Sequence, residues 1–221
     1  MADHLQEEEQ LEAISQWWRE NRASVVAAVV LTLGGTVGWS QYETYTAEQA
    51  TAAADAYDAL LLQRQAGTAP SELAELSAEL RASYSANTFA DFASLQVAAA
   101  AVAAGDLELA RGELEAVMAS VEPESTLGQL SQLRLARVLA AAGDEDAAIV
   151  ILEKGSQSFP ASYAQALGDI HLSAGREDDA LVAYETAQME AQSLGAQGGL
   201  VDMKVNALSL RVAEESDEAI Q

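Results

Sequence analysis

The sequence contains no cysteine, which excludes disulfides, thiolate nucleophiles and sulfur-ligated metals. It has only three prolines, so few helix breaks are written into it. Aromatic residues make up 5% of a chain that is 50% hydrophobic, and alanine fills much of the difference, as closely packed helices require. Basic residues are also scarce. Lys and Arg number 11 against 35 Asp and Glu, a net charge of -24 over 221 residues. A field of that sign repels nucleic-acid phosphates and anionic headgroups, which excludes nucleic-acid binding, and the acidity reads as a solvated, highly soluble surface.

Reactive constellations are lacking too. No nucleophile stands with a base, no metal-ligand spacing occurs, and no glycine-rich phosphate loop is present. The two histidines, His4 and His171, lie far apart. His171 falls in a helical pattern and is expected to be a partly buried packing residue. The expected protein is therefore not an enzyme, and no cofactor or metal is expected.

What the chain does have is an uncharged run, "ASVVAAVVLTLGGTVGW", at 23–39, with no charge between Arg22 and Glu43. As a helix it rises roughly 25 Å, and extension through Tyr42 brings it near the thickness of a bilayer core. A cleavable signal is disfavoured, because the preceding segment is long and carries Asp3, Glu7, Glu8, Glu9, Glu12 and Glu20. Trp17 and Trp18 before the run, and Trp39, Tyr42 and Tyr45 after it, resemble interfacial belts. Arg19 and Arg22 precede it and no basic residue follows until Arg64, so the N-terminus is expected in the cytoplasm. Gly34 and Gly38 form a small-xxx-small pair, a candidate contact for another membrane helix. Leu11, Ile14 and Trp18 are spaced for a short interfacial helix.

From residue 47 the pattern is helical. Tyr57, Leu60 and Leu61 stand at i, i+3 and i+4 before "GTAP" interrupts, and Leu73, Leu76 and Leu80 form a stripe after Pro70. Three later segments then repeat: "LQVAAAAVAAGDLELARGEL", "LRLARVLAAAGDEDAAIVIL" and "QALGDIHLSAGREDDALVAY". Each predicts helix, turn at Gly105, Gly143 or Gly175, and helix. Alanine follows five residues on (Ala110, Ala148, Ala180), and a large residue four beyond that (Leu114, Leu152, Tyr184). Glycine permits the turn, alanine permits a close helix crossing, and the large residue fills the space beneath. The unit resembles the tetratricopeptide repeat. A last helix from about Leu200, carrying Met203, Leu208 and Leu210, is expected to cover the end of the stack.

The expected fold is all-α, with a single N-terminal transmembrane helix followed by a tetratricopeptide-like helical-repeat (α-solenoid) domain. Its divisions are a cytoplasmic segment at 1–22, the transmembrane helix at 23–42, an exported domain at 43–212 and a disordered acidic tail at 213–221. By analogy with tetratricopeptide geometry, Phe92, Leu95, Leu133, Arg137, Gln165 and Asp169 face a partner groove. Core burial is the competing assignment for Phe92, Leu95 and Leu133. Arg137 either presents itself to a partner or pairs with an internal carboxylate, and internal pairing is the expectation.

"QLEAISQWW", "GGTVGW", "FASLQVA", "LRLARV" and "MKVNALSL", in that order along the chain, together resemble the YfgM family of Gram-negative inner-membrane proteins. The resemblance implies a periplasmic C-terminal domain and an accessory role at the Sec translocon. It implies as partners the translocon subunits, a membrane-anchored periplasmic peptidyl-prolyl isomerase-type chaperone, and secreted client proteins. An anchored periplasmic adaptor for another envelope assembly is the alternative, since helical-repeat folds serve many roles.

Overall fold

A computed structural model describes residues 2–85, 87–196 and 199–219, with side chains between residues 15 and 212. All regular structure among the described residues is helical. The elements are α1 (Ala2–Gln65), α2 (Pro70–Ser83), α3 (Thr88–Ala104), α4 (Leu107–Ser120), α5 (Thr126–Ala141), α6 (Glu145–Leu152), α7 (Pro160–Ser173), α8 (Glu177–Ser193) and α9 (Leu200–Ala219). Two compact units divide the chain, Met1–Ala52 and Ala53–Gln221.

The first unit lies within α1, whose part from Ser15 onward is long and apolar enough to cross a membrane. Leu31, Leu33 and Val37 are exposed along it, as are Trp17, Trp18, Trp39, Tyr42 and Tyr45. Its threonines are satisfied locally. Thr32 Oγ1 donates to the Ala28 carbonyl at 2.8 Å and Thr36 Oγ1 to the Thr32 carbonyl at 2.7 Å, which removes the penalty of an unbonded hydroxyl in an apolar setting. The side chains of His4, Leu11 and Ile14 lie outside the described residues.

In the second unit the helices pair in sequence. Residues 53–65 of α1 pack with α2 and α3 around Leu60, Leu73, Leu80 and Val97. The pairs α3/α4, α5/α6 and α7/α8 are the three expected repeats. At each turn the residue after the glycine donates its N–H back to a helix carbonyl at 2.9 Å: Asp106 to Ala101, Asp144 to Leu139, Arg176 to His171. This is a Schellman closure, and it places Gly105 and Gly143 at φ 80 and 90. The same aspartates cap the next helices, with Asp106 Oδ1 accepting from Leu109 N at 3.0 Å and Asp144 Oδ1 from Ala147 N at 3.4 Å. Arg176 replaces aspartate in the third turn, and α8 relies instead on Glu177, Asp178 and Asp179 in its first turn.

The packing pattern read from sequence is realised. Ala110, Ala148 and Ala180 are fully buried, and Leu114, Leu152 and Tyr184 are no more than 3% exposed. Burying each leucine stabilises the fold by roughly 1.5–3 kcal/mol. Gly168 on α7 is required by the same logic, since a Cβ there would stand 2.6 Å from the Tyr184 ring.

One expectation is corrected. Of Met203, Leu208 and Leu210, only Leu208 is buried, while Met203 is 63% and Leu210 68% exposed. The inward stripe of α9 is Val205, Leu208 and Val212, spaced i, i+3, i+7 as one helix face demands. α9 itself spans Leu200–Ala219.

Gly168→Ala forces the Tyr184 ring or α8 to shift. The expected net loss is about 1–2 kcal/mol in chemical denaturation, because overpacking outweighs the helix propensity gained. Burial pushes the Tyr163 hydroxyl up to about 12, above its unfolded value of about 10. The folded state holds that proton while the unfolded chain releases it, so stability is fully present below about pH 10 and lost as pH rises towards 12. Tyr163→Phe is expected to flatten that part of the decline in melting temperature.

Candidate functional site

A solvent-open groove of about 360 Å³ lies between α3, α4 and α5. Ala98 and Val102 of α3, Leu107 and Leu114 of α4 and Val138 of α5 supply its apolar surface. Small side chains create the space, since Ala98, Ala99 and Ala141 stand where larger residues would fill it. Val102 is 47% exposed there with nothing over it.

Arg134 and Arg137 complete the lining. They are three residues apart on α5, hence on one helix face, and both are exposed. Neither has a hydrogen bond or ion pair among the described residues. The internal ion pair expected of Arg137 is therefore not found among the described residues. Residues 53–221 hold nine basic and 27 acidic side chains, so a shortage of carboxylates does not explain it.

The other expected groove residues go elsewhere. Leu95 and Leu133 are 6% and 3% exposed and belong to the main core, the competing assignment. Phe92 joins an aromatic cluster with Tyr57 and Phe89, at centroid distances of 6.4 and 6.3 Å. Asp169 is partly exposed and engaged by neighbouring helices, accepting from the Tyr184 hydroxyl at 2.6 Å and pairing with Lys204. Burial and the Asp169 hydrogen bond both raise the Tyr184 pKa. Gln165 is half-buried on α7 and lines neither this groove nor the smaller one of about 260 Å³ around Leu167, His171 and Val182. His171 is half-buried and accepts at Nδ1 from Arg176 Nε at 2.9 Å. Gly34 and Gly38 lie in the exposed run of α1, with no atom within 4 Å of an added Cβ. Arg134 escaped the sequence reading, although its i, i+3 spacing to Arg137 in "LRLAR" was the available signal.

A buried polar network was also missed. Arg81 of α2 forks onto Glu113 of α4, Nη1 to Oε2 at 2.6 Å and Nη2 to Oε1 at 3.3 Å. Nη1 also donates to Ser77 Oγ at 2.9 Å and to Ser94 of α3, and Ser77 Oγ donates to Glu113 Oε2 at 3.1 Å. Glu113 is 5% exposed and both serines are fully buried. The network joins three helices with its charges paired, which is the condition for burying a carboxylate. Among the described residues no cluster of three or more His, Asp or Glu could hold a metal ion.

Stacked helix pairs of this kind define the tetratricopeptide repeat-like class, and the tetratricopeptide repeat-like domain family matches residues 15–210. The chain is 30% identical over 209 residues to the ancillary SecYEG translocon subunit of Haemophilus influenzae, covering 94% of this chain and all of that one. It is 31% identical to the Escherichia coli protein of the same name, covering 92% of this chain and 97% of the relative, and 28% identical to that of Neisseria gonorrhoeae, covering 94% and all of the relative. It belongs to the YfgM family of ancillary SecYEG translocon subunits. No solved structure matches it.

Two glutamine substitutions separate structural from surface charge. Glu113→Gln weakens the fork to Arg81 and is expected to lower stability by about 2–3 kcal/mol. Arg137→Gln removes no internal contact and is expected to leave the melting temperature unchanged. Both are read by thermal denaturation of the full-length protein.

Proposed function

We propose that the chain is a non-enzymatic accessory subunit of the Sec translocon, anchored in the inner membrane by the span at 23–42, with residues 1–22 in the cytoplasm and the helical-repeat unit in the periplasm. The observation that carries this reading is the continuity, in a chain matched along nearly its whole length to ancillary SecYEG translocon subunits, of an unburied apolar helix with a unit of stacked helix pairs. The exposed apolar run is stable only where hydrocarbon covers it. Arg19 and Arg22 on one side of it set the orientation. Gly34 and Gly38 are the face assigned to contact with a translocon helix, where small residues let backbones approach.

The repeat unit links the translocon to a membrane-anchored periplasmic chaperone of the peptidyl-prolyl isomerase type, and through it to emerging client proteins. Its chemistry is that of a surface, with binding residues rather than reacting ones.

Mild-detergent purification of the full-length protein from its native membrane, followed by mass spectrometry, is expected to recover translocon subunits with such a chaperone. Reproducible recovery of an unrelated envelope assembly without translocon subunits would sink the proposal and leave an anchored adaptor. Orientation is tested on the cysteine-free background with single thiols. Ser71→Cys is expected to react with an impermeant maleimide in intact spheroplasts, and Ser15→Cys only after lysis.

A further inference from the structure

We infer that the groove between α3, α4 and α5 receives an extended apolar segment of a partner polypeptide carrying one acidic side chain, whose carboxylate sits between Arg134 and Arg137. The inference deepens the scaffold reading above and rests on it.

Charge distribution carries the argument. Arg81, Arg111, Arg176, Lys204 and Arg211 pair with carboxylates and Arg64 bonds Gln96, whereas Arg134, Arg137 and the isolated Lys154 have no carboxylate partner among the described residues. Arg134 and Arg137 stand side by side without one, at the edge of an otherwise apolar groove. Two guanidinium groups on one helix face present forks that match a single carboxylate. The adjoining apolar surface, with Val102 uncovered, takes the neighbouring side chains. A volume of about 360 Å³ holds a few side chains, at the low end of ligand pockets.

The same electrostatics limit the ligand. Beyond the arginine pair the molecule is strongly negative, so a run of acidic residues is repelled while one carboxylate among apolar residues is accepted. A chain terminus is a poorer fit than a side chain. Val102, Arg134, Arg137 and Val138 lie within helices whose backbone N–H groups are already bonded, which leaves few backbone donors to hold a terminal carboxylate.

The test uses full-length protein in lipid nanodiscs and a phage-displayed library of random short peptides, selected in parallel on the Arg134→Gln/Arg137→Gln variant. Selected peptides are expected to share one Asp or Glu flanked by apolar residues. A synthetic representative is expected to lose about tenfold or more in affinity when its acid is changed to the amide, or when the variant replaces the native protein. Amidated and free C-termini are expected to bind alike, and the variant to melt as the native protein does. The inference is overturned by failure to select any peptide, by selected peptides without an acidic position, by dependence on a free C-terminus, or by equal binding to the variant. Translocon subunits that still co-purify in that case leave the translocon role standing. Arginine-dependent peptide binding without co-purifying translocon subunits removes that role and keeps the groove.

Discussion

The close crossing of paired helices at a buried alanine is the contact on which the rest of the second unit depends. Ala110, Ala148 and Ala180 have no exposed surface, and a larger side chain at any of them would hold the helices apart. Close crossing leaves a defined space beneath, and Leu114, Leu152 and Tyr184 fill it. Gly168 takes the idea to its limit by letting the Tyr184 ring lie directly against the α7 backbone. The turns follow from the same requirement, because helices this close need a short reversal, and glycine followed by an N-capping aspartate supplies one in the first two repeats.

Charge is arranged around that packing in two ways. Where carboxylates enter the interior they are held by partners, as in the Arg81, Ser77, Ser94 and Glu113 network joining α2, α3 and α4. Asp169 serves a similar end further along, tying the Tyr184 hydroxyl of α8 to Lys204 of α9. Elsewhere the acidic surplus faces water. Against that background Arg134 and Arg137, adjacent beside an apolar groove and without a carboxylate partner among the described residues, are a local concentration of positive charge, which favours a complementary partner.

The candidate span and the repeat unit obey opposite solvent rules within one chain. Along the span, apolar side chains are exposed and threonine hydroxyls bond their own helix, the arrangement suited to hydrocarbon. In the repeat unit, apolar side chains turn inward and charge covers the outside, the arrangement suited to water. The two arrangements in one chain accord with its membership of a family of translocon subunits.

The all-α class, the three repeats and the apolar span were legible in the sequence because each is a local or periodic signal. Glycine marks a turn wherever it must adopt positive φ, alanine at a fixed spacing marks a crossing, and an uncharged run marks apolar surface. The groove's position was not legible: Arg137 lines it, Leu95 and Leu133 took the core assignment that the sequence also offered, and Gln165 and Asp169 lie elsewhere. Leu95 and Leu133 share a helical period with residues that face outward, and only tertiary packing gathers them into one core. Val205 and Val212, not Met203 and Leu210, face the core because α8 sets the rotation of α9. Whether Arg137 finds a carboxylate depends on which acidic residues other helices bring within about 4 Å, a separation that spacing along the chain does not encode. The sequence by itself thus determined the elements and their repeat, since those depend on neighbours a few residues apart. Tertiary structure alone decided which charges pair and which surface stays open, since those depend on residues about thirty positions apart meeting in space.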